Sequence, residues 1–252
     1  MSEAASRQPH DEVYFRQSRQ PLASLVFVLP LLLLYELGTW HFHLDDSGQT
    51  ERRIVAFTWI RRCFAHLGAT GPLLAPAAVI ALLLGWHVFA RHPWRLRARV
   101  PLAMAGESAL LSLPLILLVG VVTGTHLLLS PLDARQWAAL AVLGIGAGVY
   151  EELIFRLVGF ALLHALLVDL LRMRNSAALI ITVVVTSIAF AAYHHVGGGE
   201  PFTWTALLFR SAAGAWLGLV FAARGFGLAA GAHAAYDVLL VTLLAAAASP
   251  DF

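Results

Sequence analysis

Two adjacent carboxylates stand inside an apolar stretch of the sequence that runs from Tyr150 to Arg156. Successive helical residues point about 100° apart, so Glu151 and Glu152 face different neighbours. Arg156 follows Glu152 by four residues and shares its helical face, where it can pair with that carboxylate. Glu151 is left without a local partner, and a desolvated carboxylate of this kind suits a general base that works near neutral pH.

Two later segments carry histidines at spacings that suit the same chemistry. His194 follows Phe190 by four residues, and Asp237 follows His233 by four residues, so each pair shares one helical face. Asp237 can orient the imidazole of His233 and select its tautomer. Three helices thus each bring a carboxylate or an imidazole inward. Together these groups could position a water against a carbonyl, either directly or through a metal ion with an open coordination position.

The segments that must position these residues are strongly apolar. Hydrophobic residues make up 59% of the 252 residues, and charged residues make up only 13%, which is about half the fraction of a typical soluble domain. The apolar residues come in runs of near membrane-spanning length. We therefore predict an all-α fold, a polytopic membrane bundle with seven or eight transmembrane helices. The single cysteine, Cys63, excludes an internal disulfide framework and a metal site built from several cysteines.

Seven apolar segments are predicted, at residues 21–40, 72–90, 102–128, 136–171, 176–194, 202–223 and 226–247. At ~1.5 Å per residue, the segment 136–171 exceeds the ~30 Å hydrocarbon core. We expect it to be tilted or broken, or to end in an interfacial piece. The stretch 54–67 alternates arginine pairs with aromatic and aliphatic residues, which favours a helix in the membrane interface. If that helix crosses the bilayer instead, the number of spans becomes eight.

The chain divides into three predicted regions. These are a polar N-terminal tail (1–20), an N-terminal transmembrane region with an interfacial segment (21–130) and a C-terminal transmembrane core that carries the motifs (135–247). Glycines 144, 146 and 148 precede the glutamates, and we expect them to let helices pack closely. They follow no strand, which argues against a nucleotide-binding loop.

Arginine placement predicts the orientation of the chain. Arginines precede the first predicted span and follow the second, fourth and sixth spans, which places them on one side of the bilayer. The positive-inside rule then predicts a multi-pass protein of the cell membrane with a cytoplasmic N-terminus. Arg52, Arg53, Arg61 and Arg62 on the other side oppose this orientation. The pI near 9.0 reflects these arginines, and we expect the lipid bilayer rather than nucleic acid as the partner.

The three motifs together resemble a known family. Glu-Glu-x-x-x-Arg at 151–156, Phe-x-x-x-His at 190–194 and His-x-x-x-Asp at 233–237, in this order on separate helices, are similar to those of the CPBP (Abi) intramembrane proteases. That family includes the type II CAAX prenyl endopeptidases and bacterial bacteriocin-processing and immunity-associated proteins. The resemblance covers about 135–247. The first half of the chain carries no motif of this kind.

The resemblance implies a role for each motif residue. Glu151 would activate the attacking water, His194 would assist it, and His233 with Asp237 would complete the site or stabilise the oxyanion. The supporting residues would be Glu152, Arg156 and Phe190. Members of the family are described both as metal-dependent and as metal-free glutamate proteases. Two alternatives therefore stay open, a divalent metal such as zinc on Glu151, His194 and His233, or no metal.

Two features depart from the family pattern. Asp237 stands where many members carry Asn, which adds a charge, and His195 adds a second imidazole beside His194. We expect His195 to face solvent, because it lies one position further round the helix.

The leading hypothesis is an intramembrane endopeptidase that cuts a peptide or a membrane-protein substrate near the cytoplasmic leaflet. A prenylated protein and a bacteriocin-like peptide are both open as substrates. The alternative is a non-catalytic scaffold or a bacteriocin-immunity-type protein that uses the same pocket for binding. A transporter or proton relay ranks third, because the sequence shows no internal repeat.

Overall fold

The structure is a computed structural model that describes residues 10–42, 53–123, 132–196 and 201–247. Its described residues form helices and no strands, which confirms the predicted all-α membrane bundle. Ten α-helices are described: α1 His10–Ser18, α2 Pro21–Phe42, α3 Val55–His66, α4 Leu74–Phe89, α5 Arg99–Thr123, α6 Ala134–Glu152, α7 Ala161–Ala165, α8 Asn175–Tyr193, α9 Trp204–Arg224 and α10 Phe226–Ala247. Two π-helical stretches, Leu153–Phe160 and Leu166–Leu170, flank α7.

Six helical segments of the described chain are long and apolar enough to cross a membrane. They are Pro21–Phe42, Arg99–Val122, Ala134–Leu170, Asn175–Tyr193, Trp204–Arg224 and Phe226–Ala246. The chain is thus a multi-pass membrane protein. The predicted second span corresponds to α4, an apolar helix of 16 residues. This helix is shorter than the other six, and the number of spans is seven if it also crosses.

The segment that carries the two glutamates is one long helical path. It begins at a capping box, in which the Asp133 side chain accepts from Gln136 N and the Gln136 side chain accepts from Asp133 N. It continues through both π-helical stretches to Leu170, a length of 37 residues. At 1.5 Å per residue this is about 55 Å, well beyond a ~30 Å hydrocarbon core. The prediction that this segment is too long for one straight span agrees with the change of winding after Glu152.

Helix α10 lies at the centre of the bundle and packs on α6, α5, α9 and α2. Its contact with α6 is close because the glycines of α6 carry no side chain. A Cβ atom at Gly148 would lie 2.5 Å from the backbone nitrogen of Ala234, and one at Gly144 would lie 2.6 Å from Cβ of Asp237. The predicted role of these glycines in close helix packing is confirmed. The glutamates at the end of α6 therefore face α10 directly.

Helix α3 corresponds to the stretch predicted as an interfacial helix, and its N-terminal end is fixed to α2. Arg53 Nη1 donates to Glu36 Oε2 at 2.8 Å, and the Arg53 guanidinium stacks 4.5 Å from the ring centroid of Phe57. Glu36 Oε1 accepts from the Tyr150 hydroxyl at 3.0 Å. The start of α3 is thereby connected to the residue that precedes Glu151.

The N-terminal tail was predicted as residues 1–20, and its part from His10 onward forms α1. Residues 1–9 lie outside the described residues. Arg224 at the end of α9 holds Glu107 of α5 through two hydrogen bonds of 2.6 and 2.7 Å, and the Tyr14 hydroxyl donates to the same carboxylate. Burial and the neighbouring Glu107 carboxylate raise the pKa of the Tyr14 phenol. These contacts hold α1 against the transmembrane bundle.

Candidate active site

The pair of Glu152 and Arg156 lies fully buried at the end of α6. Arg156 Nη1 donates to Glu152 Oε1 at 2.9 Å, and Nη2 donates to the carbonyl oxygen of Gly214 on α9 at 2.9 Å. The ring centroid of Phe190 lies 4.5 Å from the Arg156 guanidinium carbon. The contact that the four-residue spacing predicts is therefore present. It joins the helical segment that carries the two glutamates to α8 and α9.

The imidazole of His233 is oriented by Glu152 rather than by Asp237. His233 Nδ1 lies 2.9 Å from Glu152 Oε1, which is a hydrogen bond between α10 and α6. Asp237 Oδ2 lies 3.7 Å from His233 Nε2, beyond hydrogen-bond distance. The expectation that Asp237 orients this ring is corrected here. The cause is the close approach of α10 to α6 at Gly148, which brings His233 within reach of a carboxylate on the neighbouring helix.

The imidazole of His194 is oriented by its own helix. His194 Nδ1 lies 2.8 Å from the carbonyl oxygen of Phe190, four residues earlier on α8. A carbonyl oxygen can only accept, so Nδ1 carries the proton and donates. The Phe190 ring also contacts both histidines, with centroid distances of 4.8 Å to His194 and 5.8 Å to His233. Phe190 thus supports the site through both its backbone and its side chain.

The structure brings Glu151, His194 and His233 together from three helices. Glu151 Oε2 lies 3.7 Å from His194 Nε2 and 4.0 Å from His233 Nε2. This oxygen is buried and accepts no hydrogen bond from the part of the chain that the structure describes. Tyr193 also lies within interaction range of the Glu151 carboxylate. The arrangement places one carboxylate oxygen opposite two imidazole nitrogens in a space that suits a small polar molecule.

Glu151, His194 and His233 line a cavity of about 280 Å³. Its polar lining consists of Glu151, His194, Arg210, His233, Tyr236 and Asp237, and its apolar lining includes Leu115, Leu140, Phe209 and Leu240. Apolar walls with a few convergent polar groups are typical of a binding or catalytic pocket.

Arg210 is a cavity residue that the sequence reasoning missed. It lies in the second turn of α9, within a segment that can cross a membrane. The sequence feature that could have identified it is an arginine inside an apolar span, since ionisable residues in such spans are usually functional.

The fit of this site to a metal ion can be tested on its donor groups. Among the residues that the structure describes, no group of three or more His, Cys, Asp or Glu side chains is arranged so that it could hold a metal ion. The set Glu151, His194 and His233 therefore does not fit a metal centre in this arrangement.

The three motifs fall within one family match. Residues 133–239, less than half of the chain, match the model of a family described as type II CAAX prenyl endopeptidase Rce1-like. This segment is similar to the Rce1-like family. The resemblance seen in the sequence is thereby confirmed for this part of the chain. No curated protein and no solved structure gives a significant match.

The Rce1-like segment begins at the cap residue of α6 and ends within α10, so it contains every motif residue of the cavity. The match to this family supports a membrane enzyme of the protease type. The division of the chain into three regions stays a prediction. The Rce1-like segment overlaps the predicted core of 135–247, starting two residues before it and ending within it.

Proposed function

We propose that this protein is an intramembrane endopeptidase in which Glu151 activates water for attack on a peptide bond. The observation that carries the proposal is the convergence of His194 Nε2 and His233 Nε2 on one buried Glu151 oxygen, at 3.7 and 4.0 Å. A carboxylate held in a desolvated pocket beside two imidazoles is suited to proton transfer. The match of residues 133–239 to a protease family supports the same conclusion.

The proposed reaction begins with a water bound between Glu151 and His194. Glu151 takes a proton from this water, and the oxygen attacks the carbonyl carbon of the substrate peptide bond. His194 accepts the second hydrogen bond of the water through Nε2, because its Nδ1–H is engaged by the Phe190 carbonyl. The water is thereby held with its oxygen directed at the substrate.

His233 serves the other side of the reacting carbon. In its protonated form it donates from Nε2 to the developing oxyanion, while Glu152 holds Nδ1. The tetrahedral intermediate then collapses with cleavage of the C–N bond. Glu151 returns its proton to the leaving nitrogen, so the products are a carboxylic acid and an amine, and the enzyme is unchanged. The acid then loses its proton to the amine or to solvent.

The shape of the cavity suggests from which side the substrate enters. From Glu151 the cavity extends along the first half of α6, past Leu143 to Leu140, and along the early part of α9 at Phe209. It therefore leads towards the end of the bundle where α6 and α9 begin, opposite to the N-terminus.

The arginines of the described chain are unevenly divided between the two ends. The N-terminal end carries Arg16, Arg19, Arg91, Arg95, Arg97, Arg99, Arg172, Arg174 and Arg224, and the other end carries Arg53, Arg61, Arg62 and Arg135. The positive-inside rule then supports a cytoplasmic N-terminus. In that orientation the cavity leads to the extracytoplasmic leaflet, and we propose cleavage there in place of the expected cytoplasmic side.

The substrate that fits is a peptide segment of a membrane-associated protein. The cavity walls are largely apolar, and an extended segment can reach Glu151 from the bilayer or from its surface. A prenylated carboxyl-terminal peptide and an unmodified apolar peptide are the two arms of the substrate test. The family description supports the first, and the extracytoplasmic opening supports the second, because prenylation takes place on the cytoplasmic side.

The proposal is tested by replacing the base and measuring peptide cleavage. The purified protein in liposomes is given quenched-fluorescent peptides of both kinds, and cleavage is compared with that of Glu151→Gln. We expect the rate to fall by about 10²–10⁴-fold, the usual contribution of a general base. The matched control is Glu12→Gln, at an exposed carboxylate of α1, which should cleave at the wild-type rate.

Cleavage that survives Glu151→Gln in a folded sample overturns the assignment of the base. Full cellular function of the double variant Glu151→Ala and His194→Ala would favour the non-catalytic scaffold instead.

A further inference from the structure

Arg210 lies in the catalytic cavity, yet the proposed reaction makes no use of it. It is half-buried in the second turn of α9, and it lines the same cavity as Glu151, His233 and Asp237. Placing an arginine inside a membrane-spanning helix is unfavourable, so such residues need a compensating interaction or a purpose. The position of its guanidinium within this cavity therefore calls for an explanation.

The neighbouring carboxylate of Asp237 explains why an arginine lies in this cavity. It lies on α10, which packs against α9, and its Oδ2 approaches His233 Nε2 to 3.7 Å without forming a hydrogen bond. The charge of Arg210 acts on the carboxylates of both Asp237 and Glu151. A carboxylate this close to His233 would repel the oxyanion that forms there, unless a positive charge offsets it.

The charged side chains in and next to the cavity can be grouped into pairs. Glu151 and Asp237 line the cavity, and Glu152 lies next to it, where the Arg156 guanidinium binds it at 2.9 Å. Arg210 is the second guanidinium of this region. If its charge mainly offsets that of Asp237, Glu151 keeps the negative charge that a base requires.

We propose that Arg210 is a positioning residue of the active site that offsets the charge of Asp237 across the α9–α10 contact. This inference rests on the proposed endopeptidase activity for its kinetic readout. Arg210 does not touch the reacting atoms. It acts through Asp237, and so it sets the charge next to the oxyanion that His233 binds.

The test is a double-mutant cycle between Arg210→Gln and Asp237→Asn. In the otherwise wild-type protein, we expect Arg210→Gln to lower kcat by about tenfold or more, with a smaller change in KM. In the Asp237→Asn background, the same change should lower kcat by less than about threefold, because no charge is left to offset. The matched control is Arg224→Gln on the same helix, whose partner is Glu107, and its effect should be equal in both backgrounds.

A thermal unfolding cycle on the same four proteins in detergent gives a readout that does not depend on activity. We expect the loss of Tm caused by Arg210→Gln to be smaller in the Asp237→Asn background. If the wild-type protein cleaves no peptide, the proposed function fails while this cycle still tests the pairing. Equal effects of Arg210→Gln in both backgrounds, or a rise in KM alone, would overturn the inference, because they would assign Arg210 to substrate binding or to simple packing.

Discussion

His233 Nδ1 lies 2.9 Å from Glu152 Oε1, and the same oxygen accepts from Arg156 Nη1 at 2.9 Å. One carboxylate oxygen therefore joins a guanidinium on its own helical segment to an imidazole on α10. Because all three side chains are buried, the position of His233 depends on a charge that is already fixed by Arg156. Removing one member of a buried polar network of this kind leaves the other buried groups without partners, which is unfavourable.

Replacing Glu152 should therefore damage both the fold and the site. Glu152→Gln keeps the shape of the side chain but removes its charge, which leaves Arg156 in the core without its ion partner. Breaking a buried pair in this way typically lowers the free energy of unfolding by about 3–5 kcal/mol. Unfolding in mixed micelles with increasing denaturing detergent measures the change, with Glu12→Gln as the exposed control. Equal stability of the two variants would show that the buried pair is not important.

The two adjacent histidines should differ sharply in their effect on activity. His194 lines the cavity and faces Glu151, whereas His195 contacts Phe202 at a ring-centroid distance of 5.3 Å and is not part of the described cavity lining. We expect His194→Ala to lower the rate of peptide cleavage by about 10²–10⁴-fold and His195→Ala to leave it near wild type. The measurement is the rate of peptide cleavage by each purified variant. A comparable loss in both would indicate a general disturbance of the end of α8.

Close packing between α6 and α10 can be tested at one glycine. In Gly148→Ala the new Cβ would lie 2.5 Å from Ala234 N and 2.8 Å from the Ala230 carbonyl oxygen, and neither backbone atom can move without its helix. We expect a loss of about 1–3 kcal/mol in the free energy of unfolding. Cleavage should also fall, because separating the helices moves His233 away from Glu152.

The matched control for this variant is Gly120→Ala on α5, where a Cβ would meet nothing within 4 Å. Since alanine favours a helix by up to about 1 kcal/mol over glycine, this control should be as stable as wild type or slightly more so. A Gly148→Ala protein that behaves like the control would contradict the close contact described for α6 and α10.

Peptide cleavage should be insensitive to metal removal. The described side chains around Glu151 form no group that could hold a metal ion, and the proposed proton transfers use protein groups alone. The measurement is the rate before and after dialysis against a chelator, together with elemental analysis of the active protein. Activity that is lost on chelation and restored by zinc would instead favour the metal-dependent alternative.

Much of the fold could be predicted from the sequence because membrane spans are set by composition and length. Each of the seven predicted apolar segments corresponds to a helix of the structure, for example 226–247 to Phe226–Ala247. The π-helical winding of Leu153–Phe160 was not predicted, since hydropathy patterns carry no information on whether hydrogen bonds join residues four or five apart. The sequence suggested only that this segment is too long for a regular span.

Most members of the candidate site were predictable, but their mutual contacts were not. Glu151, His194 and His233 could be selected because each is an ionisable residue in an apolar helix. The hydrogen-bond partner of His233 could not be predicted, because the four-residue spacing points to Asp237. The actual contact with Glu152 depends on how closely α10 approaches α6. Arg210 was missed because it belongs to no recognisable motif and lies apart from the other site residues in the chain. Residue spacing along the chain therefore reveals neither the contact of His233 with Glu152 nor the place of Arg210 in the cavity.

The π-helical stretch that begins directly after Glu152 also determines which side chains this helix presents beyond the candidate site. A wider turn rotates each later side chain backwards relative to a regular α-helix, so a helical wheel drawn from Glu151 assigns the wrong faces to residues such as His164. Removing one residue between Leu153 and Phe160 would tighten the turn and swing the end near Leu170 around the helix axis, while the glutamates stay in place. Insertions and deletions in this segment therefore change what the far end of the helix presents to its surroundings, independently of the chemistry at Glu151.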